Sequence, residues 1–229
     1  MPQGRHRGQH WDRHWDRQWG RHGGLPGRRH LPLLALPLLV RPAQAALVGA
    51  APAELRFRIL REGSPIGTHS VAFTEADGRL TAHSEVAIQV RLMGITVFRL
   101  GHVFTEVWAD GRLASVTSRY ERNGTQTDMT ARAAPGAILV QGPDGTLRLP
   151  ANAAPLSWWD ARRFNGPLFD NSTGKPLRVQ WAQAAVAGGG TRWRASGDAD
   201  AEAGYAADGR WLDWKTRGED GSTVVYEPA

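Results

Sequence analysis

Tight-turn dipeptides at six places constrain the fold of this chain more than any other feature. Asp-Gly and Asn-Gly readily adopt the positive φ angles that two-residue hairpin turns require. The segments on either side of each turn should therefore pair as antiparallel strands. The tetrapeptide Ala-Asp-Gly-Arg occurs three times, beginning at Ala76, Ala109 and Ala207, and the other turns are Asn123-Gly124, Asp144-Gly145 and Asp220-Gly221.

The segments between these turns alternate in polarity, as strands with one buried face do. Between residues 66 and 133 they run to ten residues or more, which predicts a strongly curved sheet or a barrel-like wrap with an aliphatic concave side. The predicted fold is thus an all-β meander of long antiparallel strands. One short helix is predicted near residues 157–164, because Pro155 ends the preceding strand and Ser157 can cap a helix. The apolar face of the third segment comprises Leu80, Ala82, Ser84, Val86, Ile88, Val90 and Leu92.

The first 45 residues have the pattern of an export signal. The ten-residue apolar run Leu31–Val40 follows Arg28-Arg29 and precedes the triplet Ala43-Gln44-Ala45, and it is too short to span a bilayer, which takes about 20 residues. We expect cleavage after Ala45, leaving residues 46–229 as a single all-β domain without a membrane span. The arginine pair resembles a twin-arginine signal, with the general secretory route as the alternative.

A tryptophan-rich repeat lies upstream of this apolar run, from His10 to Arg21. It suggests either a histidine-rich metal tract or a basic nucleic-acid arm. The simpler interpretation is an over-long leader, because a chain beginning near Leu25 already carries a complete signal.

Charge and histidine content change once residues 1–45 are set aside. The whole chain has a net charge of +6, but residues 46–229 hold twenty basic and twenty acidic residues. The basic surface expected of a nucleic-acid binder is therefore absent from the mature part. The histidines that remain are His69, His83 and His102, and the chain has no cysteine, which excludes disulfides and thiolate metal sites. No metal site and no cofactor are predicted.

His102 and Glu106 are candidates for acid–base chemistry, because both fall on the apolar face of one predicted strand. Polar groups on such a face need partners. Four residues along a strand span about 13 Å, so the two cannot form a dyad, and each must pair with a neighbouring strand. Such a pairing can equally be a structural hydrogen bond. His69 and His83 lie on adjacent predicted strands and can face one another there.

Trp158, Trp159, Asp160, Arg162 and Arg163 form the most distinctive local cluster of the sequence. Aromatic faces beside arginines suit a sugar ring or an acyl head group, since guanidinium binds carboxylate or phosphate. The two tryptophans and two arginines are therefore candidate ligand-binding residues. The alternative is that the tryptophans plug the end of the sheet while the charges face water.

The order of several short motifs resembles a family of exported proteobacterial proteins known as a domain of unknown function, family 6134, over nearly all of residues 54–229. The resemblance implies a periplasmic β protein, and it brings no established catalytic residue, cofactor or substrate. The motifs are Gly63-x-x-Ile66-Gly67, Phe104-x-Glu106-x-Trp108-x-Asp110-Gly111-x-Leu113, Asn123-Gly124, Ser157-Trp158-Trp159 and Leu168-x-Asp170-x-x-x-Gly174.

These observations predict a soluble periplasmic or secreted protein that binds an amphipathic envelope component, such as a lipid, on the apolar side of a curved sheet. One alternative is a periplasmic hydrolase that uses His102, Glu106 and Asp160 in a polar cleft. Another is a structural partner of an envelope protein, for which an exposed apolar patch would be the sign.

Overall fold

The computed structural model describes residues 52–218 and 220–229. The predicted leader and signal peptide lie outside the described residues. In the described part, thirteen strands form one antiparallel sheet and three very short strands form a second. None of the described residues forms a helix that is long and apolar enough to cross a membrane. The all-β prediction is confirmed.

The main sheet is a meander, in which every strand pairs with its neighbours in sequence except where β16 pairs with β1. Its edges, β8 and β12, are not paired with each other, so the sheet is barrel-like but open. Its strands are β1 (Leu55–Arg61), β2 (Ser64–Ala76), β3 (Arg79–Leu92), β4 (Ile95–Ala109), β5 (Arg112–Arg122), β6 (Thr125–Ala134), β7 (Ala137–Gly142), β8 (Gly145–Pro150), β12 (Val179–Ala185), β13 (Thr191–Gly197), β14 (Ala201–Tyr205), β15 (Trp211–Arg217) and β16 (Thr223–Pro228). The small sheet contains β9 (Ala154–Pro155), β10 (Leu168–Phe169) and β11 (Pro176–Leu177).

All six predicted turns connect consecutive antiparallel strands. At Asp77-Gly78, Asp110-Gly111 and Asn123-Gly124 both residues have positive φ, as a tight hairpin turn requires. Two further turns of this geometry, Glu62-Gly63 and Met93-Gly94, were not predicted, because Glu and Met rarely adopt positive φ.

The segment between the two sheet edges fills one end of the concave side. Trp159, Phe164 and Phe169 from this segment are buried in the same core as Phe57 and Trp211 of the main sheet. The predicted helix near residues 157–164 is only the 3₁₀ turn Ala161–Arg163. Its cap is Asp160 rather than Ser157, because the Ser157 hydroxyl bonds a buried carboxylate instead.

An aspartate-capped turn explains the spacing of the motif from Leu168 to Gly174. The Asp170 carboxylate accepts hydrogen bonds from the backbone and hydroxyl groups of Ser172 and Thr173. Gly174 has a φ of +78°, and a Cβ there would lie 2.3 Å from a Val140 methyl carbon. Only glycine fits this position, since both the φ angle and the close approach exclude a side chain.

Candidate functional site

A cavity of about 900 Å³ lies on the concave side of the sheet. Its apolar wall comes from β2, β3 and β4, whose alternation directs one face inward. The Ser157-Trp158-Trp159 segment closes the inner end. The wall residues are Ile66, Val71, Val86, Ile88, Val90, Leu92, Val97, Phe98, Leu100 and Phe104.

The register of the strands places two histidines in one row across this wall. His69 is the cross-strand partner of Val86, Val86 is the partner of His102, and His102 is the partner of Tyr120. All four residues border the cavity. The row therefore brings polar rings into an otherwise aliphatic surface.

Several polar atoms that border the cavity are buried and have no hydrogen-bond partner among the described residues. They are both ring nitrogens of His69, the Ser84 hydroxyl and the indole nitrogen of Trp214. His69 is instead surrounded by the rings of Phe57, Trp211 and Tyr226. Buried polar groups without partners are costly, and these four atoms belong to side chains that border the cavity.

His102 has partners on both sides. Its Nε2 lies 2.9 Å from the Ser118 hydroxyl, and the ring also bonds the backbone of Asn171. Burial nevertheless lowers the pKa of His102 to about 4, against the raising effects of the Asn171 bond and the Asp170 charge. The pKa of His69 is also lowered to about 4, first by burial and then by the charge of His102. Both rings are therefore neutral at pH 7.

These shifted histidines predict acid sensitivity, since an unfolded histidine binds its proton near pH 6.5. Between pH 6.5 and 4 the unfolded state holds protons that the folded state excludes, so stability falls as the pH falls. For His69 the loss is about 3 kcal/mol. We expect His69→Leu to remove this loss, measured as urea unfolding free energies at pH 7 and pH 4.5. His83→Leu is the control; equal pH dependence in His69→Leu and wild type would contradict the account.

Glu106 is fully buried and is not one of the residues that border the cavity. Its carboxylate accepts hydrogen bonds from the Ser157 hydroxyl, from Trp108 Nε1 at 2.9 Å and from Trp159 Nε1 at 3.3 Å. Burial raises its pKa to about 7, although these donors and the nearby Arg163 charge favour the ionised form. Through these hydrogen bonds, Glu106 links the segment between β8 and β12 to β4.

Asp160 and the two arginines form a separate ionic group. Arg162 Nε donates to Asp160 at 2.7 Å, and Arg163 Nε lies 2.9 Å from the same carboxylate. The Arg163 guanidinium also stacks over the Trp108 ring, 3.3 Å from its centroid, a favourable cation–π contact. Arg162 and Arg163 border a second pocket of about 510 Å³.

The structure divides the predicted ligand-binding cluster. Trp158 and Trp159 border the main cavity, whereas Arg162 and Arg163 border the second pocket. Trp158 packs against Phe164, Trp181 and Trp214, so the tryptophans also plug the sheet. Their part in ligand binding stays a prediction.

The three acid–base candidates have different surroundings. His102 borders the cavity, Glu106 is enclosed by its donors, and Asp160 is held by two arginines. The prediction that His69 and His83 can face one another is wrong. His69 faces the cavity, whereas His83 bonds Thr105 and Glu85 on the outer face. The pairing of β2 with β3 puts the two histidines on opposite faces of the sheet.

Sequence reasoning missed Ser84, Tyr120 and Trp214 as cavity residues. Ser84 had been placed on the inward face of its strand, but nothing in the sequence shows that its hydroxyl lacks a partner. The location of Tyr120 beside the cavity depends on the pairing of β4 with β5, and that of Trp214 depends on the position of β15. A complete strand order is needed to place them.

The opening of the cavity, here called the mouth, lies at the end of the sheet that holds the β1–β2, β3–β4, β5–β6 and β15–β16 turns. Residues beside these turns border the cavity and include four arginines. Arg61 is paired with Asp220 across the rim. The charged residues at the mouth are Arg61, Arg91, Arg122, Arg217, Asp198, Asp200 and Asp220.

Comparisons with known proteins agree with this architecture. Residues 57–229 match the family described as a domain of unknown function, DUF6134. No match was found among curated proteins.

Among solved structures, the chain is similar to the crystal structure of a beta-barrel-like protein of domain of unknown function DUF1849 from Brucella abortus. The TM-score is 0.51 at 11% identity, covering 78% of this chain and 96% of that chain. At this identity the likeness shows the fold alone, and it supports the barrel-like sheet. The family match confirms the resemblance to an unknown-function family, and we conclude that the chain belongs to the DUF6134 family.

Proposed function

We propose that this chain is a periplasmic protein that binds an amphipathic envelope component, such as a lipid, in the cavity of its curved sheet. The observation that carries the proposal is the cavity of about 900 Å³ with aliphatic walls and partnerless polar atoms. Its volume is near the upper end of the range for small-molecule sites, about 300–1,000 Å³.

The distribution of polar groups supports an amphipathic ligand rather than a wholly apolar one. The side chains of His69, Ser84 and Trp214, whose buried polar atoms lack partners, border the cavity among aliphatic walls. Because both cavity histidines are neutral at pH 7, they suit an uncharged group such as a hydroxyl or a carbonyl. Arg91 and Arg217 at the mouth suit an anionic head group, since guanidinium pairs well with carboxylate and phosphate.

A titration with a fluorescent long-chain fatty acid tests the binding proposal. The protein should show saturable binding near one ligand per chain, and unlabelled phospholipid should compete. Fluorescence that rises without saturation, or that competitors leave unchanged, would contradict it. Binding should be weaker to His69→Leu if the inner polar atoms contact the ligand.

Export is tested separately by cell fractionation. The chain with a C-terminal tag should accumulate in the periplasm with Ala46 as its first residue, the site that the small residues before it predict. Replacing Ala43 and Ala45 by bulky residues should block processing. Replacing both Arg28 and Arg29 by lysine and finding normal export would exclude the twin-arginine route.

A further inference from the structure

The β3–β4 hairpin extends beyond the strands that flank it. The pairing of β2 with β3 ends at Ile88, and the pairing of β4 with β5 ends at Leu100. The backbone of Arg99 still bonds Asn123. Beyond Arg99, β3 and β4 pair only with each other, through Val90 and Phe98 to Leu92 and Ile95. We call residues 90–98 the arm. Two-stranded ribbons of this kind have no sheet neighbour to cover their side chains.

The tip of the arm is strongly apolar and exposed. Relative exposure is 63% for Leu92, 95% for Met93, 70% for Ile95 and 54% for Val97. These four account for most of the large hydrophobic side chains that are exposed among residues 52–218 and 220–229. A cluster of this kind marks an interaction surface.

The charged residues within the arm and next to it on β3 and β4 are positive. Between Glu85 and Glu106 the chain carries Arg91 and Arg99 and no acidic residue. At the base of the arm, the Arg122 guanidinium lies 5.4 Å from the Phe98 ring centroid. An apolar tip with a basic collar is the combination that binds the interface of an anionic bilayer.

The arm is continuous with the cavity. Arg91, Leu92, Val97 and Phe98 belong to the arm and also border the mouth. A surface that held the tip would therefore lie next to the opening. This arrangement favours a lipid surface as the occupant, because it places the cavity against a source of amphipathic molecules.

We propose that the arm inserts its apolar tip into the head-group region of an anionic phospholipid bilayer and so places the mouth against the membrane. The inference rests on the proposed function for its purpose, since a lipid-binding cavity gains from docking at a lipid surface. The docking itself is a separate physical property, and it is measured separately.

Vesicle flotation tests the docking. The protein is mixed with vesicles of phosphatidylglycerol and phosphatidylcholine, and the fraction bound is compared among wild type, a Met93→Asp/Ile95→Asp double variant and Val103→Asp. Val103 is exposed on the outer face of β4, away from the arm, so it is the matched control. Met93 has a φ of +49°, which Asp tolerates, and both replaced side chains are exposed, so the double variant should fold.

We expect wild type and Val103→Asp to float with the mixed vesicles and to bind less at high salt. The double variant should bind about 30-fold more weakly, since two apolar side chains are lost from the interface and two like charges face the lipid. Its fatty-acid titration in solution should match wild type, which shows that the cavity is intact.

Failure of wild type to float, or equal flotation of the double variant and Val103→Asp, would overturn the inference. A dimer that light scattering detects for wild type and that the double variant dissociates would also overturn it, because the arm would then bind a second copy. None of these results affects the fatty-acid titration, which contains no vesicles. Loss of saturable binding in that titration would instead contradict the proposed function.

Discussion

Replacing Val86 by tryptophan is expected to weaken ligand binding about 50-fold. Val86 lies between His69 and His102 in the row that crosses the cavity wall, so an indole there occupies the inner part of the space. If it displaces about three methylene groups at about 0.8 kcal/mol each, affinity falls by about 2.4 kcal/mol. The measurement is the dissociation constant for the fluorescent fatty acid.

Ala87→Trp is the matched control for this substitution. Ala87 is the next residue of β3, and it is exposed on the outer face. The Ala87→Trp variant adds the same side chain to the same strand, and it should leave the dissociation constant unchanged. Val86→Trp should change the unfolding free energy by less than about 1.5 kcal/mol, since the cavity has room for the ring. Equal affinities for the two variants would contradict binding in the cavity.

Replacing Glu106 by alanine is expected to lower the unfolding free energy by about 4 kcal/mol. The change leaves the Ser157 hydroxyl and the indoles of Trp108 and Trp159 without their acceptor, and it opens a void in the core. The substitution also removes the hydrogen bonds that link β4 to the segment between β8 and β12. Urea unfolding gives the value, with Glu85→Ala on the exposed outer face as the control. A loss below about 1 kcal/mol would show that this network contributes little.

The contribution of Glu106 to the unfolding free energy depends on pH with a definite sign. Its pKa rises from 4.5 to about 7 on folding, so between these values the folded state holds a proton that the unfolded state releases. The stability due to this group is full below pH 4.5 and is lost as the pH rises to 7, by about 3 kcal/mol. Glu106→Gln should remove this loss, so the stability difference between variant and wild type should change between pH 5 and pH 8. A constant difference would contradict the shift.

The turns and the alternation of β3 were enough to predict the sheet, because both depend on neighbouring residues. Asp77-Gly78 and Asn123-Gly124 specify positive φ locally. Side chains alternate between the two faces of a strand, so every second residue from Ser84 to Val90 points inward. These local signals therefore predicted an aliphatic concave wall without knowledge of the strand order.

The contents of the concave side depend on contacts distant in sequence and could not be predicted in the same way. The segment between β8 and β12 packs inside the sheet, where Ser157 and Trp159 reach Glu106 across about fifty residues. Because the Ser157 hydroxyl bonds Glu106, it does not cap a helix. Trp158 and Trp159 border a different pocket from Arg162 and Arg163. The faces of His69 and His83, by contrast, follow from the two-residue turn at Asp77-Gly78. Pairing of the residues that flank this turn puts His83 opposite Ala72 and His69 opposite Val86.

The most direct test of the cavity as a ligand site is native mass spectrometry of the protein purified from the cells that naturally produce it. The account predicts an amphipathic molecule bound to wild type and to Ala87→Trp, with the adduct lost or greatly reduced in Val86→Trp. An unliganded wild-type chain that also fails to take up added lipid, or the same adduct on all three proteins, would contradict it.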